Sequence, residues 1–392
     1  MLDNSAQQLL QKHLPDFIAI REHLHANPEL SFQEYKTAQF VSDQLSEYGI
    51  EHQTGIAGTG IVGIIKGKKP ESKVIALRAD MDALPILEEN NVPYKSKNKG
   101  VMHACGHDVH TTCLLGAAKL LQITKDSWEG TIKLIFQPGE EKSPGGASLL
   151  IKEGVLENPK PQAIFALHVY PHLPSGTIGM REGQYMASCD EIHITIKGKG
   201  GHAALPHQTI DPIVIASQVV LSLQTIISRR HNNAQSPSVL SFGKMAGGTV
   251  GNVIPDEVEL KGTLRCMDEA WRQEAQQLIK EQVTQIAKAM GGDADIHFPP
   301  GYPFLTNDPS TTQRARTLLE KSFGEEAIHT LNKRMTGEDF SFYTHEIPGC
   351  FMRLGTSHKG SFEHPVHTAQ FDIHPAAIGV GITMFYELAT HF

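Results

Sequence analysis

Residues 102–110 read MHACGHDVH, which places three imidazoles, a thiol and a carboxylate within nine positions. His103, Cys105 and His107 alternate. On an extended strand alternate side chains share a face, so this spacing predicts three donors converging from one side. Thiolate and imidazole together suit zinc, manganese or nickel. Gly106 lets the backbone come close to whatever binds there. A His-rich loop around a buried free cysteine is the alternative, and the run taken alone leaves both readings open.

More residues able to do chemistry follow apolar runs. VIALRA at 74–79 leads into Asp80-Met81-Asp82, TIKLIFQ at 131–137 leads into Pro138-Gly139-Glu140-Glu141, and AIFALHV at 163–169 carries His168 near its end. Such runs, and GIVGIIK at 60–66, predict strands. Helical periodicity marks 7–25, 34–48, 111–121 and 147–153. The alternation predicts an α/β domain around a mostly parallel sheet. Ligands bind such sheets beyond the carboxyl ends of the strands, which is where these carboxylates and His168 fall. Their gathering at one edge favours the metal reading of MHACGHD.

The pattern changes near residue 187. Strands are expected at 191–197, 238–243, 257–266 and 293–298, with helices at 211–228 and 270–290. That order, β-α-β-β-α-β, is the ferredoxin-like unit. After a Pro/Gly-rich link at 299–303 the α/β pattern resumes, with helices at 310–323 and 375–390 and a strand at 350–354. The expected organisation is a discontinuous α/β domain, 1–186 and 298–392, with a ferredoxin-like α+β domain inserted at 187–297.

The chain has 392 residues, 40% hydrophobic and 20% charged, with a net charge of −8. No run of eighteen apolar residues predicts a membrane span. No basic patch offsets the negative charge, which argues against a nucleic-acid partner. Five cysteines, at 105, 113, 189, 266 and 350, are odd in number and scattered, the pattern of free thiols in a reducing compartment. The opening MLDNSAQQLLQKHL lacks the features of a secretory signal. A cytoplasmic location is therefore expected.

Eight motifs now stand in order: RADMDALP (78–85), MHACGHD (102–108), FQPGEE (136–141), ALHVYPHLPSG (166–176), GKGGHA (198–203), NVIP (252–255), GTLR (262–265) and GEDF (337–340). Together they resemble the metal-dependent aminoacylase/carboxypeptidase family, in the branch of hippurate hydrolases and auxin–amino-acid conjugate hydrolases. The resemblance covers nearly the whole chain. It implies hydrolysis of N-acyl-L-amino acids, with dipeptidase or carboxypeptidase action as the alternative. It also implies two divalent metal ions, manganese or zinc, with nickel or cobalt as substitutes. The implied ligands are Cys105, His107, Glu141, His168 and a histidine near the C-terminus, His367 rather than its rival His364. Glu140 would be the general base and Asp82 a carboxylate behind the ligands. His202 would help hold the scissile carbonyl, often in the partner subunit's site. Asn252 and Arg265 would meet the substrate's carboxylate or carbonyl. The inserted domain would serve as lid and dimerisation domain, giving a homodimer or higher homo-oligomer and a gating motion. Two departures from the family pattern are Gly139, where alanine is frequent, and Ala369, where proline is common.

Amide hydrolysis at neutral pH needs an activated water and a stabilised oxyanion, and a divalent metal supplies both. Adjacent glutamates can then divide the work, one ligating and one moving the proton. One rival is a thiol hydrolase with Cys105 as nucleophile and His107 or His110 as base. Another is a non-catalytic metal- or peptide-binding protein of the same fold. Chelation separates the first pair: treatment with EDTA is expected to abolish amide hydrolysis and added metal to restore it, whereas activity surviving the chelator would favour the cysteine nucleophile.

Overall fold

Four apolar strands lie side by side and parallel at the centre of the first unit: Thr131–Gln137, Val74–Asp80, Ala163–Pro174 and Gly349–Ser357. The computed structural model describes residues 4–392. Strand Gly60–Lys66 adds antiparallel to Thr131–Gln137, and Glu51–Ile56 pairs antiparallel with it at that edge. Beyond Gly349–Ser357 come Ile178–Met180, antiparallel, and then Ile328–Thr330. The result is an eight-stranded, mainly parallel sheet. Every residue of Thr131–Gln137 is buried, as a strand covered on both faces requires. Helices His107–Ile123 and Ala376–His391 share the core with the sheet through Cys113, Leu114, Ala117, Leu121, Ile378 and Phe385. The polar edge strand Glu51–Ile56 (EHQTGI) and the three-residue strands carry no alternation that sequence reading could use.

The register aligns the chemistry. Asp80 pairs with Gln137, and Arg353 with His168, so Asp80, the 138–141 loop and His168 meet at one carboxyl edge. His168 is not at its strand's end; the strand runs on to Pro174.

The metal run departs from its expected form. Residues 103–106 are not an extended strand but a turn, and the helix begins at His107, four residues earlier than the periodicity suggested. Gly106 stands at the helix N-cap with φ 82°, in the left-handed region. An alanine there would bring its Cβ to 2.5 Å from Cγ2 of Val169. Glycine is thus required twice, for its φ and for the close approach.

The second unit comprises Gln184–Leu305 and Lys333–Glu338. Its four-stranded sheet is antiparallel throughout, in the order Ser238–Ala246, Glu257–Cys266, Asp190–Lys197, Asp293–His297. With helices Pro212–Arg230 and Glu269–Ala289 this is the β-α-β-β-α-β unit. Asp211 accepts from the backbone N–H of Ile213 and Asp268 from that of Trp271, capping the two helices. Trp271, Ala275, Ile279, Val283 and Ala287 recur every fourth residue and face the core. Pro212–Arg230 is long and apolar enough to cross a membrane by length and composition, but Ile215, Val219, Leu223 and Ile226 are spent on this core.

Three segments expected in the first unit, 184–186, 298–305 and 333–338, group with the second. Cys189 and Tyr302 exchange backbone bonds of 2.9 and 3.0 Å, and Ala187 N–H donates to Arg334 O at 3.0 Å. Single backbone bonds of this kind leave no periodic trace in the sequence of residues 298–305 and 333–338.

Gly106→Ala is expected to lower folding stability by about 2–4 kcal/mol, from overpacking against Val169 and the left-handed backbone together. A denaturant melt of the variant checks this.

Candidate metal centre

Asp82 follows strand Val74–Asp80 and is buried. Its carboxylate accepts four hydrogen bonds. Oδ1 takes His107 Nδ1–H at 3.1 Å and the N–H of Glu140 at 3.1 Å; Oδ2 takes the Ser31 hydroxyl at 2.6 Å and the N–H of Glu141 at 3.0 Å. The bond to Nδ1 fixes the tautomer of His107 and leaves Nε2 with its lone pair. Burial raises the Asp82 carboxyl pKa, but the bonds from His107 and Ser31 outweigh it and the net shift is down.

Nε2 of His107 is buried and makes no hydrogen bond among the described residues. It faces Asp80 Oδ2 at 3.8 Å and Glu141 Oε1 at 3.9 Å. Burial disfavours a charge on this ring, yet the carboxylates of Asp80, Asp82 and Glu141 lift its pKa to about 10. The position therefore demands a cation, as a proton or as a metal.

Cys105 sits in the turn before the helix. His168 Nε2 and His367 Nε2 each lie 3.3 Å from its Sγ. His168 donates Nδ1–H to Val169 O at 2.8 Å, so its Nε2 also offers a lone pair. Burial, then Arg353 and His110, push the His168 pKa well below the ordinary imidazole value, which keeps the ring neutral. His367 Nε2 is 3.2 Å from Glu141 Oε1. The donor atoms form two overlapping triads, Cys105–His107–His168 and Cys105–Glu141–His367, each with its atoms within 4.8 Å of one another. Cys105 belongs to both. Burial, then Glu141 and Glu140, push its thiol well above the usual range, so the thiolate needs a cation beside it. A divalent metal meets the demands of His107 and Cys105 at once. The residues present fit such an ion.

The five expected ligands therefore converge, and His367 rather than His364 is the histidine at Cys105. His367 adopts φ 64° and its N–H donates to Ala104 O at 2.7 Å, which ties the C-terminal segment to the metal run. His364 is exposed and belongs to no triad. His103 is buried, held neutral by that burial with its pKa lowered to about 4, and stands outside the triads. The equal standing of residues 103, 105 and 107 fails because a turn and a helix, not a strand, carry them. Glu140 is buried, with Oε1 3.4 Å from the N–H of Asp339.

Several residues outside the expected ligand set build the site. His110 donates Nδ1–H to Asp80 at 2.6 Å and accepts the N–H of Val169 at 2.9 Å, so both nitrogens are used and it cannot ligate. Arg78 binds Asp80 at 2.6 Å and Asp339 at 2.7 Å in the interior. Glu34 Oε1 accepts the N–H of Gly139 at 2.9 Å. The i, i+3 spacing of His107 and His110 on a helix was the available signal for His110; Glu34 and Ser31 had none.

His202, Asn252 and Arg265 lie in the second unit. His202 ends the short strand Gly201–His202 and pairs with Val253, and the N–H of Ala203 donates to the O of Asn252 at 3.1 Å, so the exposed His202 and Asn252 are neighbours. Arg265 is half-buried, and its Nη1 donates to Thr263 Oγ1 and to Asp190 O.

Residues 76–391 match Peptidase family M20/M25/M40. The chain belongs to this family. It is 43% identical over 359 residues to an N-acetyl-L-cysteine deacetylase of Bacillus subtilis, covering 92% of this chain and 84% of that protein. It is 39% identical over 386 residues to thermostable carboxypeptidase 2 of Saccharolobus solfataricus, covering 97% and 96%. The crystal structure of a dinuclear metal-binding M20 peptidase from Bacillus subtilis superposes with a TM-score of 0.80 at 36% identity, covering 97% of this chain and 98% of that one. As an M20 member, this chain is a hydrolase of amide bonds.

Asp82→Asn is expected to weaken metal binding about 10- to 100-fold by releasing the His107 tautomer. His367→Ala is expected to lose metal and His364→Ala to keep it. Metal titration of the three variants measures both.

Proposed function

We propose that this chain hydrolyses N-acyl-L-amino acids with two divalent metal ions, manganese or zinc, held by Cys105, His107, Glu141, His168 and His367. The shared position of Cys105 in both triads is the observation that carries this reading. When bound, the metal pair supplies an activated water and polarises the scissile carbonyl. Glu140 would accept the proton of the attacking water at its carboxylate and pass it to the leaving amine. Asp82 keeps Nδ1 of His107 protonated and so leaves the lone pair of Nε2 free to hold a metal ion. His202 donates to the carbonyl oxygen, and Asn252 and Arg265 meet the substrate's carboxylate, a group that suits the bidentate fork of arginine. Because these three residues belong to the second unit, the reading includes a closing motion and a homodimer. Exposed Leu221 and Val214 on helix Pro212–Arg230 and Val239 and Met245 on an edge strand support an oligomer. Five free cysteines, four of them buried, support a reducing cytoplasm.

The carboxypeptidase relative favours peptide hydrolysis as a second reading. Initial rates on N-acetyl- and N-benzoyl-amino acids against dipeptides decide between them; faster cleavage of dipeptides would overturn the first. Glu140→Gln is expected to lower kcat by about 10²- to 10⁴-fold with bound metal unchanged. Activity near wild type in that variant removes Glu140 from the role of base.

A further inference from the structure

The loop carrying Glu140 and Glu141 is held through three consecutive backbone N–H groups. Gly139 N–H donates to Glu34 Oε1 at 2.9 Å, Glu140 N–H to Asp82 Oδ1 at 3.1 Å and Glu141 N–H to Asp82 Oδ2 at 3.0 Å. Two buried carboxylates thus capture every N–H across the pair. Asp82 belongs to a known motif; Glu34 lies 105 positions from Gly139 in a segment that carries none of the motifs.

The segment 31–34 is itself bolted to the site. The Ser31 hydroxyl donates to Asp82 Oδ2 at 2.6 Å. Glu34 Oε1 also accepts the N–H of Phe32 at 2.8 Å, and Oε2 accepts the Thr59 hydroxyl at 2.7 Å. Phe32 adopts φ 63°, and its ring lies where a side chain at Gly139 would point: a Cβ there would be 2.4 Å from Phe32 Cε1. A strained residue packed on the loop before the two glutamates marks a constraint maintained by its surroundings.

We propose that Glu34 is a positioning residue for the hydrolytic reaction, acting through the Gly139 N–H to hold Glu140 and Glu141 in separate places. The inference rests on the proposed function. With the three N–H groups captured, no peptide plane from 139 to 141 turns freely. Glu141 Oε1 then stays 3.2 Å from His367 Nε2, and Glu140 Oε1 stays 3.4 Å from the Asp339 N–H. A displacement of a reacting group by about 1 Å costs on the order of 10²-fold in rate, so a loosened loop should be read in kcat.

Three variants test the clamp. Glu34→Gln keeps an acceptor for Gly139 and Phe32, and the Thr59 hydroxyl can turn to accept from the new amide. Glu34→Asp keeps the charge but withdraws it by one methylene. Glu34→Ala removes the acceptor. Measured on metal-loaded protein with an N-acetyl-amino acid, E34Q should stay within about threefold of wild type, while E34D and E34A lose ~10- to 100-fold in kcat. KM and metal per chain should stay near wild type. Hydrogen–deuterium exchange of the peptide spanning 136–142 should be faster in E34D and E34A and unchanged in E34Q. Wild-type kcat and exchange in E34D, or a loss of kcat that only follows loss of metal or of folded protein, would overturn the proposal. Where E34A does not fold, E34D decides. A wild-type enzyme inactive on acyl amides would sink the proposed function instead, and the exchange measurement would still judge the clamp.

Discussion

A buried carboxylate with four donors is the constraint on which the rest of the site depends. Asp82 joins the end of a central strand to the first residue of a helix, to the loop after a second strand and to an N-terminal turn. An unpaired charge in that place would be costly, so the four segments must arrive together for the carboxylate to be satisfied. Once they do, the tautomer of His107 and the backbone of the Glu140–Glu141 pair are set by the same group.

Buried ion pairs extend this arrangement outward. Arg21, on helix Asn4–Ala26, binds Asp108 at 2.9 Å and Asp372 at 2.7 Å. Asp108 adjoins His107, and Asp372 lies in the segment that delivers His367. Burial opposes ionisation of Asp108, but Arg21 and His25 hold its carboxyl far below the usual range. Arg78 does similar work beneath the sheet edge: Asp339, which it binds, also accepts from Gln137 and from the N–H of Ala147. Such pairs contribute little net stability against an apolar packing of equal volume. Their effect is to fix which distant segments meet, and a candidate metal site assembled from four places in the chain depends on that.

The two units differ in how they hold their candidate residues. In the first, Asp82, His107, Glu140 and His168 are buried and bonded to one another or to backbone. In the second, His202 at the end of a two-residue strand and Asn252 on a turn are exposed, outside a self-sufficient apolar core. Groups on a rigid buried frame suit metal and proton chemistry, and exposed groups suit contact with a ligand that comes and goes.

Much of the protein could be read from its sequence because the signals were local. Apolar runs marked the parallel strands, the four-residue recurrence from Trp271 to Ala287 marked a helix, and Asp80, Glu140 and Glu141 stood at or just beyond strand ends. The motifs also named Cys105 and His107. What failed was anything set by contact between distant segments. The alternation in MHACGHD suggested a strand, but Gly106 at φ 82° against Val169 makes a turn and a helix start. The motif pattern already favoured His367 over His364, and a backbone bond to Ala104 together with a left-handed φ brings it to the thiol. Glu34 and Ser31 carried no signal at all, because a residue that holds another's backbone is identified only by the fold that brings the two together.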